Sequence, residues 1–212
     1  MTATSPILGI IGTAGRDKSK PMTLELWQAM CADFKSRLTG NEHLVSGGAA
    51  WADHLAVHAF LEGWAPALTL YLPAPMGARQ FQGPHSSAAS AANYYHEKFS
   101  RVIGADSLAQ IRQAFDRGAI ISEEPAAPGY GAMFARNKKV AQRINAVVAY
   151  TFGQGDEPAD GGTLDTWRQI ESSHKVHVPL GGLTLSPSQK TDQNGPITTS
   201  PVRRRFSFTS RG

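Results

Sequence analysis

The sequence predicts an α/β protein: one parallel sheet of about five strands with helices on both faces. Three observations carry that expectation. Short runs of uninterrupted apolar residues recur along the chain, as in strands buried on both sides. Between them lie longer stretches with apolar residues every three or four positions, the period of an amphipathic helix. The apolar runs also end in glycine-rich turns that open the next helical stretch, and strands alternating with helices pair in parallel.

The elements follow in order. Ile7 to Thr13 is an apolar run ending in glycine, the pattern of a first buried strand. Thr23 to Leu38 carries Leu24, Trp27, Cys31, Phe34 and Leu38 at helical spacing, with Thr23 suited to cap the start. His43 to Gly48 is the second strand, and Ala50 to Glu62 the second helix, closed by Gly63. Ala67 to Leu72 is the third strand, stopped by Pro73 and Pro75. A helix from Gly131 to Ile144 precedes a strand over Ala146 to Phe152; Gly162 to Ser173 is the last helix and Lys175 to Pro179 the last strand.

Two stretches break this rhythm. Residues 74–129 are too long for a simple crossover and read as an insertion, rich in Pro, Gly, Ser and Ala up to Ala92 and helical over Ser107 to Gly118. Residues 183–212 are rich in Ser, Thr and Pro and end in Arg203-Arg204-Arg205-Phe206-Ser207-Phe208, too polar to fold alone. The expected organisation is therefore one domain over 1–182, with the insertion at 74–129, and a disordered basic tail over 183–212.

Composition excludes several classes. Of 212 residues, 41% are apolar and 18% charged, which is globular. No apolar run approaches the roughly 18 residues of a membrane span. Met1 to Pro6 lacks the basic-then-apolar pattern of a signal peptide, so a cytoplasmic location is the expectation. A lone Cys31 can form neither an internal disulfide nor a multi-cysteine zinc site, and it falls on the apolar stripe of its helix. The net charge of +4 resides in the tail: residues 1–180 hold sixteen cations and sixteen anions. A body so balanced lacks the basic stripe of a duplex-binding domain, so nucleic acid is not expected as a partner except through the tail.

In an open parallel sheet, ligands bind beyond the carboxyl ends of the strands. Three glycine turns fall there: Gly12-Thr13-Ala14-Gly15-Arg16, Ser46-Gly47-Gly48-Ala49 with Asp53 in the following turn, and Asp160-Gly161-Gly162-Thr163. Glycine allows close backbone approach, and free amides at a helix start attract anions, so the three together suit a phosphorylated ligand. Arg136-Asn137 stands near the start of the helix before the 146–152 strand, either as part of a solvated face or as a fork for phosphate. His54, His58 and Glu62 share one side of the second helix; the apolar opposite side makes them its wet face, and no metal is expected. Among Trp51, Tyr94, Tyr95 and Trp167, Trp51 in the second glycine turn is the aromatic best placed to stack on a base.

Four motifs in order, Ile10-Ile11-Gly12-Thr13-Ala14-Gly15-Arg16, Leu44 through Asp53, Ala135-Arg136-Asn137-Lys138 and Gly161-Gly162-Thr163, resemble the SLOG superfamily of Rossmann-like proteins. That superfamily includes the DprA family, the cytokinin-activating LOG phosphoribohydrolases and small YspA-like members. The Gly-Gly-Ala signature and the Arg-Asn pair look closest to the YspA-like branch. The resemblance implies a nucleotide-derived ligand held by the three turns, phosphate on Arg136 and a ribose hydroxyl near Asp53. LOG-like enzymes carry a glutamate three residues after the motif threonine; here that position is Thr166, and the nearest acid, Asp165, is one residue early. On a helix this is a rotation of about 100°.

The expected function is thus binding of a nucleotide-derived small molecule (a nucleoside monophosphate or an ADP-ribose-like ligand) through Gly12, Thr13, Arg16, Ser46, Gly47, Gly48, Trp51, Arg136, Asn137, Gly161, Gly162 and Thr163. Its enzymatic form would hydrolyse the N-glycosidic bond with Asp53 or Asp165 as the carboxylate. A non-catalytic sensor or sponge for a signalling nucleotide in a prokaryotic conflict system, and DprA-like binding of single-stranded DNA, are the alternatives. No cofactor is expected. Apolar faces on the first helix and the 74–129 segment, and dimers among members of the superfamily, leave room for a homo-oligomer.

Overall fold

A computed structural model of the chain describes residues 6–159, 161–172 and 174–184. The tail expected from residue 183 lies outside the described residues from 185 onward. Six strands form one sheet: β1 (Ile7–Gly12), β2 (His43–Ser46), β3 (Ala67–Leu72), β4 (Ile120–Glu123), β5 (Ala146–Thr151) and β6 (Lys175–Pro179). Their order is β4-β3-β2-β1-β5-β6, and every neighbouring pair is parallel. Six helices accompany them: α1 (Leu24–Arg37), α2 (His54–Leu61), α3 (Ala88–Ile103), α4 (Ser107–Asp116), α5 (Gly131–Arg143) and α6 (Gly162–Gln169).

The sixth strand comes from inside the stretch read as an insertion. β4 has only four residues, Ile-Ile-Ser-Glu, and as the edge strand it is exposed at both ends, so no long apolar run announces it. It pairs in register with β3, Thr69 opposite Ile120. α3 also comes from that stretch, and its first turn is mostly alanine and serine. Alanine is the best helix former, and Ser87 and Ser90 close a reciprocal capping box, so the helix starts without a large apolar stripe. Gly104 ends it in the left-handed region at φ +69°.

The sheet separates two cores by strict alternation. On β5, Ala146, Val148 and Tyr150 point into the larger core with Leu8, Ile10, Leu44, Leu68 and Leu70, under α1 to α4. Val147 and Ala149 point the other way, onto Val140, Ala141 and Ile144 of α5 and Leu164 and Trp167 of α6. Full burial of each such side chain contributes roughly 1.5–3 kcal/mol. A buried polar triad ties α1 to β5: Tyr150 Oη donates to Asp33 Oδ2 at 2.9 Å, and Arg37 donates to both Asp33 oxygens at 2.6 and 3.1 Å. Cys31 is buried in this core, as its helical position implies.

The second helix differs from its expected outline. It opens with a 3-10 turn, Trp51–Asp53, and becomes α-helical at His54. Trp51 sits at φ +64°, a conformation that costs a non-glycine residue about 1–2 kcal/mol. Its indole offsets that cost by packing against Phe99 (4.7 Å between ring centres) and Trp27 (6.5 Å). The expected wet face is not wet either. His54 is fully buried and contacts Gln110 Oε1 of α4 at 2.8 Å, while His58 packs edge-on against Trp27 and Trp64. His96 and Phe99 of α3 with Gln110 of α4 cover His54, and Trp27 of α1 with Trp64 covers His58; of the three only Glu62 is exposed.

Candidate functional site

The chain changes direction between β1 and β5. Strands β1 to β4 step outward one way; α5 then crosses the opposite face of the sheet over β3, β2 and β1, and β5 is laid on β1's free side. The loops after β1 and β5 therefore diverge and leave a crevice at their carboxyl ends, where such sheets receive ligands. Gly12 ends β1 there. A Cβ on it would stand 2.2 Å from the Tyr150 carbonyl oxygen and 2.6 Å from Ala52 Cβ, so only glycine lets the turn lie so close to β5. Thr13 N–H donates to Tyr150 O at 2.9 Å, and Thr13 Oγ1 accepts from Gly15 N–H at 3.1 Å.

Across the crevice stands the start of α6. Thr163 Oγ1 donates to Gly12 O at 3.0 Å and fixes the two turns together. Gly161 occupies the cap position at φ +103°, and no described side chain bonds the first amides of the helix. α5 likewise begins at Tyr130 with no side-chain cap. Asn137 of α5 reaches this corner: a Cβ on Gly162 would meet its Nδ2 at 3.7 Å. Arg16 spans the mouth, its guanidinium 3.2 Å from Met133 Sδ and 5.5 Å from the Tyr95 ring centre.

The second glycine turn forms a closed cluster beside this crevice. Arg136, 7% exposed, donates through Nη1 to Gly47 O and stands 3.7 Å from Asp53 Oδ2. Asp53 Oδ2 also accepts from Ala49 N–H at 3.3 Å, and Ser46 Oγ donates to Asp53 O at 3.1 Å. A Cβ on Gly47 would fall 2.6 Å from Arg136 Nη1 and 2.9 Å from Asp53 Oδ2, so the ion pair lies directly on the Gly47 backbone and a side chain there would displace it. Burial pushes the Asp53 carboxyl above the ordinary carboxylate range, opposed by the Arg136 guanidinium. Burial also lowers the Arg136 guanidinium, with Asp53 opposing and Arg16 adding to the shift. Arg136 Nε finds no hydrogen-bond partner among the described residues. Gly48 is held from α3, where His96 Nε2 contacts its carbonyl at 3.0 Å and His96 Nδ1 contacts Ser107 Oγ at 2.9 Å.

The structure thus brings together Gly12, Thr13, Asn137, Gly162 and Thr163, with Gly161 leading into α6 and Arg16 at the mouth. Ser46, Gly47, Gly48, Asp53 and Arg136 form the adjoining buried cluster. Trp51 belongs to neither; at 3% exposed its ring is core. Asp165 is exposed on α6 and accepts from Gln169 Nε2 at 2.9 Å, while Thr166, at the glutamate position, is buried and donates to Gly162 O at 2.8 Å. No group of three metal-binding side chains occurs among the described residues. None of their helices is long and apolar enough to cross a membrane.

Sequence reasoning missed two aromatic residues beside the crevice. Tyr130 is 51% exposed and Phe134 59% exposed, four residues apart at the start of α5. Helical phase gives no signal for them: at about 100° per residue Phe134 lies on the side of the buried Ala141, seven positions on, with Tyr130 close to the same line.

Fold and crevice together define a Rossmann-like α/β protein with a glycine-lined cleft at the switch point of its sheet. The chain belongs to the same family as the uncharacterized protein R261 of Acanthamoeba polyphaga mimivirus. The two are 38% identical over 182 residues, a match that covers 82% of this chain and 95% of the viral one. No family model matches the chain. Among solved structures it is similar to DNA processing protein A from Helicobacter pylori, described for its single-stranded DNA binding mode. That likeness has a TM-score of 0.45 and 18% identity, and covers 80% of this chain and 75% of that one.

Proposed function

We propose that the protein binds a phosphorylated, nucleotide-derived small molecule in the crevice between β1 and β5, without cleaving it. The observation that carries this reading is the meeting of the α6 start, Gly161-Gly162-Thr163, whose first amides no described side chain caps, with the Gly12-Thr13 turn, from which the exposed Arg16 extends. Free amides and the positive end of the helix dipole favour an anion, and a guanidinium at the mouth adds a fork for phosphate oxygens. The four motifs that resemble the SLOG superfamily, and its YspA-like branch in particular, support the same ligand class.

Binding without hydrolysis is favoured by where the acids stand. Cleavage of an N-glycosidic bond needs a carboxylate near the developing positive charge. Asp165 bonds Gln169 at the surface, and Asp53 is closed onto Arg136 and the Ala49 amide. The protein is then a nucleotide sensor or sponge rather than a hydrolase.

Calorimetric titration with AMP and ADP-ribose tests this. Both bind the full chain, and Arg16→Ala weakens AMP several-fold. Gly162→Asp abolishes binding by placing a carboxylate where the phosphate would sit, yet leaves thermal stability unchanged or higher, because an acid in the first turn favours the helix. AMP binding unaffected by Gly162→Asp overturns the reading, as does no binding of either nucleotide. Chromatography after prolonged incubation returns AMP intact; adenine release lost in Asp53→Asn would establish hydrolysis instead. A parallel arm with labelled oligothymidylate reads DNA binding, which the balanced charge of residues 1–180 does not favour.

A further inference from the structure

The crevice explains where phosphate would rest but leaves open what holds the remainder of the ligand. Asn137 touches the α6 start at Gly162. Phe134 lies three residues earlier on α5, on the same side of the helix and one turn nearer the solvent. Tyr130 lies a further turn out, at the cap position of α5. These two rings are among the most exposed large apolar side chains of the described residues, and Phe134 is the helical neighbour of Asn137, whose Nδ2 lies at the proposed phosphate seat.

The surroundings of this aromatic pair are cationic. Lys138 follows Phe134 at the next turn of α5 and is exposed. Arg16 meets α5 through Met133 and reaches Tyr95 on α3, where Tyr94 is half-exposed beneath Lys98 at 4.3 Å. An exposed ring with Lys138 one turn on and Arg16 at the adjacent Met133 complements a planar base that carries phosphate. It suits a neutral apolar protein surface less well.

We infer that Phe134, with Tyr130 beside it, is the stacking surface for the base of a nucleoside phosphate whose phosphate group sits at Gly161-Gly162-Thr163. The ligand class is therefore set by an aromatic base as well as by a phosphate. This rests on the binding reading above and sharpens it. Phe134 is a binding residue that selects nucleotides over sugar phosphates.

The test compares AMP with ribose 5-phosphate on the full chain by calorimetry. In the wild type AMP binds about tenfold tighter, in line with stacking on one aromatic ring. Phe134→Ala brings AMP down to the affinity of ribose 5-phosphate and leaves ribose 5-phosphate unchanged, whereas Phe134→Tyr keeps the preference. Phe134→Trp supplies a direct signal, an exposed indole whose fluorescence AMP quenches and ribose 5-phosphate does not. Equal affinities for both ligands, unchanged in Phe134→Ala, overturn the stacking surface while the phosphate seat stands. Binding of neither ligand overturns the seat itself, and the inference with it. A wild-type dimer in light scattering that dissociates in Phe134→Ala, with AMP binding unchanged, shows that a second copy covers the rings and also overturns the inference.

Discussion

On the α1–α4 face of the sheet, three of the four helices begin with a side chain that fills their first amides: Thr23, Ser87 and Asp106. On the α5–α6 face neither helix has such a cap among the described residues. The aromatics divide by place rather than by face: Trp27, Trp51 and Phe99 are closed into the larger core and Trp167 into the smaller, whereas Tyr130 and Phe134 at the start of α5 stand half in solvent. Satisfied amides and buried rings contribute to stability; open amides and exposed rings contribute little to it and remain available to a ligand. One sheet therefore carries a face devoted to holding the fold and a face whose helix starts border the cleft.

That contrast can be broken most forcefully at Trp51. Trp51→Ala is expected to cost about 3–5 kcal/mol by urea denaturation, because the cavity opens between Trp27 and Phe99. Phe134→Ala, removing a ring of similar size from the other face, should stay within about 0.5 kcal/mol. Comparable losses for the two would erase the distinction between the faces.

Acid gives the next largest effect per pH unit, and it falls mainly on the capped face. Burial drives His54 down to about 3 and His96 down to about 4. The unfolded chain takes up protons near 6.5 while the folded chain does not, so stability is full above that value. It falls as pH drops toward 4, by about 1.4 kcal/mol per pH unit for each histidine. Thermal melts from pH 7 to pH 4 should show that decline, and His96→Gln should remove about half of its slope. A flat profile would mean that water reaches these imidazoles.

The smallest effect compares one hydroxyl on each face. Thr23→Ala removes the cap of α1, where Thr23 Oγ1 accepts from Leu26 N–H at 3.2 Å, and should cost about 1 kcal/mol with AMP affinity unchanged. Thr163→Val removes the bond to Gly12 O and should cost a similar amount while weakening AMP several-fold. Equal effects on AMP would show that the second hydroxyl, like the first, serves only the fold.

The sequence by itself determined the parallel α/β plan, because apolar runs such as Ala146–Thr151 and amphipathic stretches such as Leu24–Arg37 are set by local pattern. It also placed the glycine turns at the strand ends, where the β5 backbone at Gly12 and the Arg136–Asp53 pair at Gly47 fill the space a side chain would take. Where exposure depended on distant segments, local pattern failed. His54 is buried by α4, more than fifty residues away in the chain, and Trp51 is drawn into the core by Phe99 of α3. β4 exists as a strand only because β3 offers it a hydrogen-bonding edge. Tertiary structure alone decided which polar groups close on one another, as Asp53 on Arg136, and which stay open at the cleft. Burial is a property of the assembled faces, and the order of residues along the chain does not contain it.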